Sequence, residues 1–265
     1  MKRLIDTLQN IWKIDDLRVR ILNTLGFLLI YRLGSFIVLP GVDPEILGDV
    51  NGQASGLANL INIFAGGAFS RASIFALGIM PYISASIVMQ LMGIAVPAIQ
   101  KMQREGESGR RRLNQWTRML TIAITAVQAP SYITSQIPAQ AVVGGDTTFW
   151  WITTTLLLIT GTVFVMWLGE KITDKGIGNG ISMIIMIGII AQLPSSFIFE
   201  IEQRTNAGGF VMLLIELVFL LLVTIATVAL VQGTRRIPVN FAKKVVGNKQ
   251  YGGVRQYIPL KVNAA

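Results

Sequence analysis

The sequence contains neither cysteine nor histidine. Disulfide bonds, thiol nucleophiles, histidine metal sites and serine–histidine relays are therefore excluded, and any catalysis would have to use carboxylates, lysines or hydroxyl groups. Charged residues are also scarce, at 14% of the chain, where soluble domains carry about a quarter. Hydrophobic residues make up 52%, and the mean hydropathy is +0.58. This composition predicts a polytopic, all-helical membrane protein.

The net charge of +9 is distributed unevenly along the chain. Two polar segments, residues 42–57 and 134–148, contain no lysine or arginine, and only Arg32, Arg71 and Arg204 lie outside the segments that we assign to the cytoplasm. Because cytoplasmic segments are rich in lysine and arginine, both termini are predicted to be cytoplasmic. The first apolar segment lacks a cleavage signature after it, so we expect a retained anchor rather than a signal peptide.

Six transmembrane spans are predicted, preceded by a basic amphipathic helix at residues 1–20 that we expect to lie on the membrane surface. The spans cover residues 19–39, 72–96, 116–132, 149–168, 180–193 and 210–231. Pro130 is expected to end the third span and Pro194 the fifth, and Asn179 is expected to cap the start of the fifth. Arg32 should face protein or lie near an interface, because an arginine at the bilayer centre costs about 2.5–3.5 kcal/mol.

Residues 59–91 predict an interrupted helix. The first apolar piece, residues 59–68, is too short at ~1.5 Å per residue to cross a hydrocarbon layer of about 30 Å, and it breaks at two adjacent glycines. Arg71 follows, and is expected either to cap a helix end or to extend toward the interface. The spanning segment after it contains Pro81 and several polar residues. Interrupted helices with polar residues generally line a cavity, so this region is the candidate functional site.

Two polar segments nearer the end of the chain have compositions that nucleotide- or nucleic-acid-binding sites also use. The glycine-rich turn at residues 170–180 lacks both the preceding strand and the glycine spacing of a dinucleotide motif. The segment at residues 232–265 contains seven cations and no acid. It would bind either RNA, by releasing counterions from the phosphates, or anionic lipid headgroups. The absence of acids favours a macromolecular partner.

Four stretches, taken in order, resemble the SecY family, the central subunits of the bacterial protein-conducting channel. They are FSRASIFALGIMPYISASIVMQL, REGESGRRR, WLGEKITDKGIGNGIS, and RRIPVNFAKK with YIPLKVN. The resemblance covers nearly the whole chain but only the first six of the family's ten helices, since the family continues into a seventh helix where this sequence ends. It implies six transmembrane helices plus a short plug half-helix, forming one half of an hourglass-shaped channel. The implied segments are a cytoplasmic amphipathic helix (residues 1–20), a five-helix half of the channel that includes the plug (21–194), an outer loop with the sixth helix (195–231) and a basic cytoplasmic loop (232–265).

The resemblance also assigns functional residues. Four isoleucines are assigned to a pore constriction, where a ring of such side chains can exclude ions by dewetting. Without the resemblance, the same isoleucines would be interpreted as packing between helices. The implied plug spans residues 57–67 and includes Leu57, Ile61, Phe64, Gly66 and Gly67. The implied pore constriction includes Ile79, Ile83, Ile181 and Ile185. The implied lateral gate, formed with the seventh helix, includes Ser84, Ser86, Gln90 and Gln128. The implied contact for the ribosome or the SecA motor includes Arg235, Arg236, Lys243 and Lys244.

The function implied by the resemblance is that of a pore-forming subunit in the bacterial inner (plasma) membrane, with no enzymatic activity and no cofactor. It would translocate secretory proteins and release transmembrane segments into the membrane. Implied partners are SecE and SecG, the ribosome with its nascent chain, SecA, signal sequences, secretory and membrane protein substrates, and anionic lipid. Since half of the constriction and one gate wall are expected from later helices, we expect no sealed, gated channel from this chain alone.

Two other interpretations stay open at this stage. A small-solute secondary transporter also uses broken helices, and it predicts ionisable residues that face a central cavity. Away from the ends of the predicted spans, Arg32 and Glu216 are the only charges, and the sequence indicates no pairing between them. A non-transporting assembly or anchoring factor would account for the basic segment at the end of the chain but not for the half-helix.

Overall fold

The computed structural model describes residues 12–51, 57–145, 147–206, 209–239, 244–246, 249–251 and 256–262. Most of the surface helix predicted at residues 1–20 lies outside this part of the chain. The chain divides into two compact units, Met1–Pro194 and Ser195–Ala265.

Helices account for most of the described residues. They are α1 (Asp15–Gly34), α2 (Pro44–Asn51), α3 (Leu57–Phe64), α4 (Met80–Ala95), α5 (Pro97–Arg104), α6 (Glu107–Gln136), α7 (Thr148–Lys175), α8 (Gly180–Asn206) and α9 (Phe210–Gln232), with a 3-10 turn at Ala139–Ala141. The prediction of a mostly helical membrane protein is confirmed. Asn179 caps α8 as predicted, because its Oδ1 accepts hydrogen bonds from the N–H groups of Ile181 at 3.0 Å and Ser182 at 3.4 Å.

Three of the described helices are long and apolar enough to cross a membrane: Thr148–Lys175, Gly180–Arg204 and Val211–Gln232. A fourth span results if α4 and α5, which meet at an angle of 101°, are counted together. α1 falls short because it contains five charged residues, including both acids at its start. α6 falls short because its uncharged part, residues 119–136, is rich in threonine, serine and glutamine and is not apolar enough. The count of six spans stays a prediction.

The proline boundaries that the sequence predicted are wrong. α6 continues through Pro130 to Gln136, and α8 continues through Pro194 to Asn206, so residues 197–206 are helical rather than an outer loop. Spanning helices tolerate proline because neighbouring groups satisfy the freed backbone positions. Pro81 was predicted to lie inside the second span. It lies instead in the first turn of α4, because the helix begins only at Met80. A proline in the first turn removes no intrahelical hydrogen bond.

Short backbone pairings connect the segments between helices in the first unit. Residues 37–39, which follow α1, pair with residues 72–74, which precede α4, through N···O distances of 2.9 Å. The Asp43 N–H donates to Ala141 C=O at 2.8 Å, and the indole N–H of Trp150 donates to Pro40 C=O at 3.1 Å. A buried apolar cluster lies beside the half-helix and includes Leu28, Tyr31, Phe75, Ile79, Val165, Leu168, Ile172 and Ile184.

The second unit contains the end of α8, α9 and four short strands. β1 (Thr234–Val239) pairs antiparallel with β4 (Gln256–Lys261), and β2 (Lys244–Val246) pairs antiparallel with β3 (Lys249–Tyr251). The strands were not predicted from the sequence, in which residues 232–265 are expected to form a basic cytoplasmic loop.

Candidate functional site

The half-helix α3 ends at Phe64, and the chain turns at two glycines. Gly66 and Gly67 have φ values of +63° and +84°, which glycine adopts without steric cost. The Gly67 N–H donates to Asn62 C=O at 2.9 Å, and the Ser70 N–H donates to Asn62 Oδ1 at 3.1 Å. The helix break predicted at these glycines is confirmed.

Gly188 of α8 contacts this turn directly. A Cβ on Gly188 would lie 2.7 Å from the Phe64 carbonyl oxygen, and a Cβ on Gly66 would lie 2.9 Å from Gly188 Cα. One turn further along α8, Gln192 Nε2 donates to Asn62 C=O at 3.3 Å. The end of the half-helix therefore packs against α8 at a separation that only glycine permits.

Ile79, Ile83 and Ile185 line one cavity of about 120 Å³, and Phe64 of the half-helix lines it with them. The other lining residues are Tyr31, Ala65, Leu77, Gly78, Met80 and Ile184. Among the described residues no charged side chain lines this cavity. Apolar cavities hold water poorly, so these walls offer no stabilisation to an ion.

Ile181 does not line this cavity, although the resemblance assigned it to the constriction. It packs toward Gly169 of α7, where an added Cβ would come within 3.2 Å of Ile181 Cγ1. Ile184 lines the cavity and is 1% exposed. Sequence reasoning missed both Ile184 and Tyr31. The unbroken apolar run around Ile185 could have indicated Ile184. Tyr31 is revealed only by the packing of α1 in the structure.

Two arginines donate to one carbonyl oxygen at the glycine turn. Arg32 Nη1 of α1 lies 2.8 Å from Gly66 O, and Arg71 Nη2 lies 3.0 Å from the same oxygen. Their Cζ atoms lie 4.8 Å and 4.5 Å from the ring centroid of Phe36, within the range of cation–π attraction. The prediction that Arg32 faces protein is confirmed. Arg71 thus bonds the turn that follows α3; its two predicted roles, capping and extension toward the interface, stay predictions.

The predicted gate residues lie on α4 and α6, which pack against each other. The buried face of α4 is formed by Pro81, Ala85, Met89 and Gly93. Ser84 and Gln90 are exposed and Ser86 is half-buried, while Gln128 is exposed on α6. The structure thus places these polar side chains mostly away from the buried faces, and their role as a gate stays a prediction.

The predicted basic contact lies partly on the strand pair. Arg235 and Arg236 are exposed on β1, opposite Leu260 and Pro259 of β4. Neighbouring residues on a strand point to opposite faces, so the two guanidinium groups project from different sides of the pair. Lys244 begins β2, and its side chain is not described, whereas Lys243 lies outside the described residues.

The charges within the spans do not form a solute site. Arg32 donates to a backbone carbonyl, as described above, and Glu216 of α9 accepts a hydrogen bond of 2.6 Å from Arg204 Nη2. Arg204 also donates to Glu200 at 2.7 Å. The transporter interpretation predicted ionisable residues facing a central cavity, and it is not supported.

A mostly helical membrane fold with a half-helix beside an apolar cavity defines a class, the proteins with the fold of protein-conducting channels. The SecY family model matches residues 73–265, which is more than half of the chain. The chain belongs to the SecY family, which confirms the resemblance.

Relatives and solved structures agree with this assignment. The chain is 44% identical to the protein translocase subunit SecY of Buchnera aphidicola subsp. Acyrthosiphon kondoi, covering 95% of this chain and 72% of the relative. It is also 44% identical to the same subunit of Escherichia coli (strain K12), covering 95% of this chain and 58% of that protein. The chain therefore spans only part of the length of these relatives.

Two solved structures share the fold. One is described as the structure of a protein conducting channel, with a TM-score of 0.60 and 18% identity, and the match covers 92% of this chain and 52% of that one. The other is Sec61 in the canine ribosome-channel complex from the endoplasmic reticulum, with a TM-score of 0.58 and 17% identity, covering 84% and 49%.

Proposed function

We propose that this chain provides the plug, one side of the constriction and one wall of the lateral gate of a protein-conducting channel. The observation that carries the proposal is the shared cavity, in which Phe64 of the half-helix lies against Ile79, Ile83 and Ile185. Flexible apolar side chains close around a moving polypeptide, exclude ions by dewetting, and offer no polar partner that would retain a passing segment. The glycine turn after α3 supplies the hinge about which the plug moves.

The proposed substrates are secretory proteins and transmembrane segments that enter beside α4. Ser84, Ser86, Gln90 and Gln128 would form this chain's wall of the gate. An apolar segment that leaves through the gate gains roughly 25 cal/mol per Å² of apolar surface transferred to lipid. Energy would come from a ribosome or from SecA, so this chain performs no catalysis. SecE and SecG would be its partner subunits, in a bacterial inner membrane with both termini in the cytoplasm.

Crosslinking to an arrested secretory chain tests the pore assignment. This sequence has no cysteine, so Ile83→Cys introduces its only thiol, in a full-length protein from which any other cysteine is removed, and the arrested chain carries a second one. We expect a disulfide between them. Leu156→Cys, exposed on α7 and absent from the cavity lining, is the matched control and should give none. Failure of Ile83→Cys to crosslink with a trapped chain would overturn the proposal.

The proposed contact with the ribosome or SecA, and the attraction to anionic lipid, rest on the exposed cations of β1. Replacing both Arg235 and Arg236 with glutamate should lower ribosome affinity by about tenfold and flatten its salt dependence, because fewer counterions are released. The same change at Arg110 and Arg112, which are exposed on α6, alters the charge equally and serves as control. Equal loss in both variants would show attraction by overall charge rather than a defined contact. Co-sedimentation across a salt series measures this.

A further inference from the structure

The carbonyl oxygen of Gly66 accepts hydrogen bonds from two guanidinium groups, one near in sequence and one remote. Arg71 is five residues from Gly66, whereas Arg32 is 34 residues away, on α1. The carbonyl lies just beyond the C-terminus of α3, where the helix dipole favours positive charge. Both cations therefore stabilise the same end of the half-helix.

Among the described residues, no carboxylate forms an ion pair with Arg32 or Arg71. Burial, and to a smaller extent the nearby Arg32, lower the pKa of the Arg71 guanidinium, and Arg71 Nε is buried without a hydrogen-bond partner in the described part of the chain. The two guanidinium groups bond the same oxygen and carry like charges, so they repel each other. Their arrangement therefore depends on the Gly66 carbonyl and on the ring of Phe36.

Only one of the two arginines connects the half-helix to the rest of the first unit. Arg71 follows the glycine turn closely and would accompany any movement of it. Arg32 belongs to α1, which is held against the turn after α7: the Ile177 N–H donates to Thr24 Oγ1 at 3.1 Å, and Asn23 Nδ2 donates to Lys175 C=O at 3.4 Å. A bond from Arg32 to Gly66 thus joins a fixed helix to a movable segment.

We propose that Arg32 is a positioning residue that holds the plug in its resting position, by donating to the Gly66 carbonyl while stacking on Phe36. The inference rests on the proposed function, in which α3 and the glycine turn move when the channel opens. Opening then requires loss of this hydrogen bond, after which Gly66 and Arg71 move away together from Arg32. Arg32 sets how readily the plug leaves.

Thiol labelling in membranes that contain the full-length protein tests this role. Ala65 is 6% exposed and precedes the turn, and Ala65→Cys supplies a small, unique thiol in a chain without cysteine. With an impermeant maleimide outside, Arg32→Gln should raise the labelling rate at residue 65 by about tenfold, as expected for loss of a hydrogen bond to a charged group. Arg32→Lys, which keeps the charge and a donor, should restore part of the protection.

Two controls separate positioning from a general loss of structure. Val165 is 0% exposed in the core of α7, and a Val165→Cys reporter should label at the same slow rate with or without Arg32→Gln. Arg204→Gln removes an arginine from the second unit and should leave residue 65 protected. An unchanged rate at residue 65 in Arg32→Gln, or an equal rise at residue 165, would overturn the proposal.

A tether between residues 62 and 192 distinguishes failure of this inference from failure of the proposed function. These residues are joined by the 3.3 Å hydrogen bond from Gln192 to Asn62, so cysteines there can be bridged by a short bis-maleimide. If bridging blocks translocation and Arg32→Gln leaves labelling unchanged, the plug moves and only the role of Arg32 is rejected. If bridging leaves translocation unchanged, the plug assignment itself fails, and this inference fails with it.

Discussion

Gly66 and Gly188 face each other at a separation that leaves no room for a side chain on either residue. A Cβ on Gly188 would lie 2.7 Å from Phe64 O and 3.4 Å from Gly66 N, both backbone atoms that cannot rotate away. Any side chain added at either position would therefore displace the end of the half-helix.

Gly188→Ala is expected to displace the half-helix from α8. Overpacking of this kind costs about 1–3 kcal/mol, and the half-helix is the element that can relieve it by moving. Ion flux through resting channels of the full-length protein in proteoliposomes should rise. Gly26→Ala is the matched control, because an added Cβ there meets nothing within 4 Å, and alanine favours a helix by up to about 1 kcal/mol. Equal flux in the two variants would contradict the steric argument.

Ile185→Asn and Ile181→Asn are expected to behave differently. Ile185 lines the 120 Å³ cavity, so an amide there admits water and should increase resting ion flux. Ile181 lies toward Gly169, so its replacement should lower stability by about 1–3 kcal/mol without a comparable leak. Conductance recordings and thermal unfolding of both variants measure the two effects. A leak in Ile181→Asn as large as that in Ile185→Asn would restore Ile181 to the constriction.

Arg118 of α6 and Glu170 of α7 form a bidentate ion pair with N···O distances of 2.9 Å and 2.7 Å. Since Arg118 is about half exposed, the pair should contribute only about 0.5–1 kcal/mol. A double-mutant cycle with Arg118→Gln and Glu170→Gln, followed by chemical denaturation, gives the coupling energy. A coupling indistinguishable from zero would mean that the helices are positioned by packing alone.

Asn179→Ala is expected to lower the free energy of unfolding by about 1 kcal/mol, since the first turn of α8 loses its cap. Asn179→Asp retains an acceptor oxygen and should be close to the parent. Asn114→Ala, at an exposed position within α6, should be neutral or slightly stabilising. Thermal unfolding followed by circular dichroism compares the three, and a loss in Asn179→Asp as large as in Asn179→Ala would argue against capping.

Local features of this fold were predictable from the sequence, as Asn179 shows. A cap needs only an asparagine before an apolar run, and the break at Gly66 needs only two glycines after a short apolar piece. The proline rule failed at Pro130 and Pro194 because it describes helices in water, where a freed carbonyl ends the helix at little cost. In an apolar span the chain has no better alternative than to continue the helix.

Non-local relationships were beyond sequence reasoning alone. Arg32 was recognised as costly in a span, yet its acceptor is a backbone carbonyl, which no side-chain pattern reveals. The pairing of β1 with β4 was not predicted, because residues 232–265 were interpreted from their charge alone; the two strands contain Pro238 and Pro259. Both prolines occur in a two-stranded sheet, where each strand has a free edge and proline is tolerated.

The strand pair closes on itself at the end of α9. The Val262 N–H donates to Gly233 C=O at 3.0 Å, so the chain that leaves the helix at Gln232 returns to the same point after β4. An insertion between β1 and β4 would therefore leave the position at which the chain returns to α9 unchanged. The closed strand pair makes the length of sequence between these two strands independent of where α9 ends.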